Sequence, residues 1–258
     1  MQSPRVWMGY LLGLTLLGLS CNDFLKYAGE MKEPVNLLEP FVVAQCQAFV
    51  GRLWPLGYLL ILADAPFIGK GTDLLLYRSG RHAWNLGMIC YILMQSFWYA
   101  AGLAICSVLT SVPFGFPGKI WSGPAYLLVK FPKSAAALKY HLLFEGEAMM
   151  RQLTVPQAFL AAFVYLFCYL ALIGILLYVC SLIFGSFWGF LAVAVFHLGR
   201  IALSFWFQIP WSPVHETGSL YRLWRYPCRA GMVFIFITLV SFLSVKKVEF
   251  SERRGGNG

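Results

Sequence analysis

Three groups of ionisable residues in this 258-residue chain have types and spacings suited to chemistry. His197 and Arg200 stand i,i+3 within an apolar run, so both project from one face of a helix. An ionisable group in lipid costs roughly 2.5–3.5 kcal/mol on insertion scales unless it finds water or a partner. The pair therefore either lines a polar substrate pathway or, in the case of Arg200, snorkels to the outer headgroups. Glu145, Glu147 and Arg151 form a second group, with Glu147 and Arg151 spaced for an i,i+4 ion pair on a solvated helix. Arg222, Arg225 and Arg229 recur at i, i+3 and i+7 among Trp211, Tyr221, Trp224 and Tyr226. That pattern reads as an interfacial aromatic belt with cations on headgroups, or as an outer gate formed by Arg222, Trp224 and Arg225.

Several kinds of site are excluded. GKGT at 69–72 lacks the GxxxxGK[ST] spacing, so the chain has no Walker A loop for ATP. His82, His141, His197 and His215 form no HExxH, and the seven cysteines form no CxxC, so no metal site is expected. The net charge of +9 is scattered over short connections and lacks the basic helix or aromatic signature of nucleic-acid binding. Anionic lipid headgroups or an acidic protein surface suit that charge better.

The elements that must position these residues are membrane helices. The chain is 59% hydrophobic and 12% charged, with mean hydropathy +0.69. Soluble domains carry about 25% charged residues. Its apolar residues fall in long continuous runs rather than alternating, which rejects a β-barrel. The expected fold is all-α: a single polytopic membrane domain over 1–258 with six spans at about 7–21, 45–63, 86–111, 157–180, 182–207 and 230–245. GLSC at 18–21 resembles the end of a lipoprotein signal, but Gly18 occupies a position that usually holds Leu, so the first run is expected to remain as a helix.

KKVEFSERR after the last run reads as a cytoplasmic stop, giving an N-in/C-in arrangement. The outer connections then hold ten Lys or Arg, so charge counting alone leaves orientation open. The long connection 112–156 is expected to carry one amphipathic helix after its turn-rich start. Gly185 and Gly189 are spaced to let another helix approach closely. Cys21, Cys46 and Cys228 fall near one membrane face, where a disulfide among them is conceivable; the other four lie in apolar runs as small core residues.

Glu145, Glu147 and His197 resemble the glutamate–histidine set of CAAX-type intramembrane proteases, which implies water activation by the acids. Here Gly146 separates the two glutamates and they lie in a connection rather than inside a span.

The connection DAPFIGKGTDLLLYRSGRHAW, residues 64–84, is the most distinctive stretch. Pro66 ends the preceding helix and Gly69 and Gly71 permit a turn. Thr72 or Asp73 caps a short helix through Leu74, Leu75, Leu76 and Tyr77, and Arg78 and Arg81 suit the negative end of its dipole. Trp84 and Asn85 then start the next span. The product is an amphipathic helix lying on the membrane surface at about 66–82.

Asp64, Gly71-Thr72, Leu74-Leu75 and Arg78-Ser79-x-Arg81 together resemble the first cytoplasmic connection of type-2 ABC exporter permeases. Six spans, an aromatic segment before the last of them and a basic tail fit the same family. The resemblance implies a coupling helix that docks on a separate ABC ATPase subunit through Lys70, Thr72, Asp73, Leu75, Tyr77, Arg78, Arg81 and His82. It also implies a dimer with itself or a second permease, with ATP and Mg bound by the partner and no cofactor on this chain. The chain would be a transport subunit without covalent chemistry, exporting a peptide, lipid-like or drug-like substrate across a bacterial plasma membrane. A non-catalytic membrane scaffold or immunity protein is the third class the sequence allows.

Overall fold

The computed structural model describes residues 4–63, 72–144, 146–199 and 220–247, with side chains omitted at 48, 52, 72–79, 148, 220–226, 246 and 247. Ten helices occur among them: α1 (Pro4–Met31), α2 (Glu39–Cys46), α3 (Ala48–Leu62), α4 (Thr72–Ser111), α5 (Gly123–Lys130), α6 (Ala135–Lys139), α7 (Glu147–Gln152), α8 (Val155–Phe184), α9 (Ser186–Gly199) and α10 (Leu220–Lys247). Four stretches are long and apolar enough to cross a membrane: Pro4–Met31, Gly80–Phe114, Val155–Phe184 and Pro227–Val245. Phe49–Leu62 and Ser186–Gly199 are shorter apolar helices.

The helices follow the apolar runs but overshoot them. α1 continues past the expected end at 21, because Phe24, Tyr27 and Ala28 keep the helical phase and are buried. Residue 45 belongs to α2, and α3 starts only after Gln47 turns the chain with an extended backbone (ψ 123°). The basic aromatic stretch before the last run forms the first turns of α10 itself, with Pro227 accommodated inside the helix. Gly185, expected at a helix contact, instead breaks the chain between α8 and α9 with φ 91°, a conformation open to glycine. Gly189 does make the expected close approach: a β-carbon there would lie 2.6 Å from the Ser181 backbone.

α8 is the centre of the bundle, with 67% of its apolar window buried, against 17% for the window of α10. It packs against α2, α3, α4, α9 and α10. Its N-terminus is sealed by a capping box between Thr154 and Gln157. α1 packs along α3, with Gly9 against the carbonyl of Gly57. Tyr58 Oη meets Ser96 Oγ at 2.7 Å, and Tyr99 Oη donates to Trp54 O at 3.1 Å, joining α3 to α4.

The connections 32–47 and 112–154 combine into a folded cap at one end of the helices. The second holds three short helices rather than the one expected, because Ser122 and Ser134 each start a new helix as a side-chain N-cap. Val35–Asn36 (β1) and Gly115–Phe116 (β2) pair in parallel, aligning Val35 with Gly115. Glu30 at the end of α1 accepts from Lys139 and, at 2.7 Å, from Tyr140 Oη, tying α1 to the second connection. All eight residues of α2 are buried, Phe41 stacking on Trp54 and Phe159.

A buried carboxylate locks the cap. Glu39 is wholly shielded, and accepts from Ser122 N (2.6 Å), Ser122 Oγ (2.5 Å) and Asn36 N (3.2 Å). The Asn36 amide in turn donates to the carbonyls of Gly118 (2.9 Å) and Ile120 (3.1 Å). One acid therefore fixes both connections.

All seven cysteines are free thiols. The disulfide conceived among Cys21, Cys46 and Cys228 is absent because each faces elsewhere. Cys21 Sγ lies 3.6 Å from Ser107 Oγ of α4, Cys46 donates to Val42 O of its own helix, and Cys228 is exposed.

Burial pushes the Glu39 carboxyl above its ordinary value, outweighing the three donors that lower it. The folded cap thus favours the protonated form: this contribution is complete below the ordinary glutamate value and is lost as pH rises through the raised one. Thermal unfolding in detergent should show stability falling over that rise in the wild type and not in Glu39→Gln. Glu39→Ala orphans two buried N–H donors and should cost about 3 kcal/mol at low pH, at roughly 1–3 kcal/mol per unsatisfied group, and less as rising pH removes the wild type's advantage.

Candidate functional site

Within the stretch expected to be helical at about 66–82, the helix begins at Thr72 and no loop separates it from the long helix that follows. Residues 72–79 are helical, Gly80 breaks the helix with φ 78° and ψ 155°, and helix resumes at once. These angles lie outside the helical region and are open to glycine, so the short helix leaves the long one at a single residue. Thr72, Asp73, Leu75, Tyr77 and Arg78 lie on it with side chains outside the described atoms; Lys70 lies outside the described residues. Arg81 and His82 follow the break and are exposed.

Directly after the break, the sequence supplies a polar contact that its apolar pattern does not announce. His82 stacks on Phe242 of α10, with ring centroids 5.8 Å apart. Asn85, fully buried, donates through Nδ2 to Ser241 Oγ of α10 (3.1 Å) and accepts at Oδ1 from Tyr178 Oη of α8 (2.7 Å). Ser241 Oγ in turn donates to Thr238 O at 2.7 Å. Trp84 leans on Tyr178, with centroids 6.1 Å apart. Three long helices are thus clasped about one turn from Gly80. A lone amide at the head of an apolar run was the only hint in the sequence; Tyr178 and Ser241 carry no local signal.

His197 is buried on α9, and its Nδ1 lies 2.6 Å from Tyr169 Oη of α8. Arg200 lies outside the described residues, so the expected pathway pair is represented by His197 alone. The His197–Tyr169 contact sits roughly 20 Å down α8 from Val155, at 1.5 Å per residue. Glu147 precedes Val155, is exposed and forms its 2.6 Å ion pair with Arg151. Glu147 and His197 are therefore not brought together, and Glu145 lies outside the described residues. No group of three His, Cys, Asp or Glu side chains clusters as metal ligands among the described residues.

Arg222, Trp224 and Arg225 stand on the first turns of α10, with side chains outside the described atoms. They precede Ser241 by about four to five turns of that helix, so they lie far along α10 from the clasp.

Asn85→Ala should destabilise the bundle more than Tyr178→Phe or Ser241→Ala, because it strands partners on both α8 and α10. A double-mutant cycle of Asn85→Ala with Tyr178→Phe, read by unfolding in detergent, should give coupling of about 0.6–1.7 kcal/mol, the span of measured interhelical bonds. Additive effects would show that the clasp carries no pairwise energy. No protein-family model matches this chain, and neither a curated protein nor a solved structure matches it.

Proposed function

We propose that this chain is the membrane subunit of an ABC-type exporter, driven by a separate ATP-binding subunit that docks on the 72–79 helix. The observation that carries this reading is the break at Gly80, which sets a short helix ending in Arg78-Ser79 at the root of α4, about one turn from the clasp that binds α4 to α8 and α10. A push on the short helix would pivot at Gly80 and be delivered through His82 and Asn85 to two other helices. Such rigid-body transmission requires bistable packing and no covalent chemistry on this chain.

Six spans and an N-in/C-in arrangement belong to the same reading. α3 and α9 would be the two short crossings, the latter continuing beyond Gly199. Gly9 of α1 meets the C-terminal half of α3, and Phe242 near the end of α10 meets His82, which supports both chain ends lying on the side of the 72–79 helix. The exposed face of α10, with Ile235, Phe236 and Leu239, suits lipid or a second permease. ATP and Mg would be held entirely by the partner.

Affinity purification of the tagged chain from native membranes should recover an ATP-binding subunit. Arg78→Glu combined with Arg81→Glu should reduce that recovery at least about tenfold, since like charges replace favourable ones across an interface. An unchanged elution profile of the variant shows that its own fold is intact. Recovery of no ATP-binding chain with the wild type would sink the proposal.

A further inference from the structure

At the far end of α4 and α8 from Gly80, the cap carries an open cleft of about 680 Å³. That volume lies within the 300–1,000 Å³ typical of small-molecule sites. Its charged lining is unbalanced: Lys119, Lys130 and Arg151 against the single carboxylate of Glu147. Glu147 is committed to Arg151 at 2.6 Å, and neither lysine has a carboxylate partner among the described residues. Lys130 instead lies over the Phe131 ring, 5.7 Å from its centroid.

The walls are pinned rather than loose. Val155 N donates to Lys119 O at 3.2 Å and Trp121 Nε1 donates to Leu153 O at 2.9 Å, fixing the 119–121 segment to the head of α8. Ile120 and Tyr126 stand 76% and 57% exposed at the same cleft, an apolar lip beside the cations. Thr154, which caps the most apolar helix of the chain, is part of the lining. The cleft therefore opens where α8 meets the membrane surface, the level at which a headgroup and the start of its acyl chains lie.

We infer that this cleft binds the phosphate-bearing headgroup of an anionic amphiphile, with Lys119 and Lys130 on the phosphate and Ile120 and Tyr126 along the first methylenes. Charge-assisted bonds from two ammonium groups supply recognition, and the apolar lip distinguishes an amphiphile from a free anion. The inference concerns the opposite end of the molecule from the short helix and does not rest on an ATP-binding partner.

The test uses the full chain in phosphatidylcholine nanodiscs, titrated with short-chain (dihexanoyl) phosphatidylglycerol. Saturable binding is expected, weakened at least about tenfold in Lys119→Gln/Lys130→Gln, since loss of even one of the two charged hydrogen bonds entails that much. Glu147→Gln removes the competing carboxylate and should tighten binding, a gain that misfolding does not produce. Absence of saturable binding, or equal affinity in the double variant, overturns the site. Inorganic phosphate binding as tightly as the lipid would assign the cleft to a free anion, and preference for a hexaglutamate peptide would assign it to a protein; either overturns the amphiphile.

Discussion

An apolar side chain on a spanning helix gains little by exchanging lipid for a neighbouring helix, since both surroundings are hydrocarbon. Position in such a bundle is therefore set by close packing and by side-chain hydrogen bonds between helices. Asn85 illustrates the constraint. In a dry interior its amide nitrogen donates to α10 while its carbonyl oxygen accepts from α8, so one side chain joins three helices. Tyr58 with Ser96 and Tyr99 with Trp54 do the same between α3 and α4, so α4 is tied on two sides. The mean hydropathy of these helices says nothing about which neighbour each will choose.

The cap obeys a different balance, because its segments are short and rich in polar groups. Its two connections are too short on regular structure to bury much by themselves; the parallel β1–β2 pair is only two residues long on each side. Glu39 compensates by collecting donors from both connections, and α2 supplies the apolar floor through Phe41. The same lock holds Ser122, next to Trp121, and so helps shape the cleft beside the head of α8. A polar anchor and a preformed basic cleft thus share one loop.

The two ends of the molecule are mechanically distinct. At one, a single glycine separates a short helix from a long one and a polar clasp follows immediately. At the other, ion pairs, capping serines and a buried carboxylate fix a compact cap. The backbone break at Gly80 and the dense hydrogen bonding of the cap mark these two ends as differently built.

Much of the helical content was legible in the sequence, because long apolar runs in a chain this poor in charge have few other solutions in lipid. The short helix after Gly71 was legible too, from its turn residues and its basic end. Boundaries were not: α1 and α10 run on through residues whose polarity suggested loops, since burial of Phe24 and Tyr27 and the helical phase of the 220–229 stretch outweighed local composition. The partners of Asn85 and His197, and Ser122 of Glu39, lie 28 to 156 residues away along the chain, and no local pattern encodes them. The sequence by itself determined that the protein is a set of apolar helices with a short helix bearing Asp73 and Arg78 between two of them. Only the tertiary structure decided which helices are clasped together, that one acid locks the cap, and that Glu147 and His197 stay apart. Hydropathy acts on each segment alone, whereas a hydrogen bond in a dry interior requires two segments to meet.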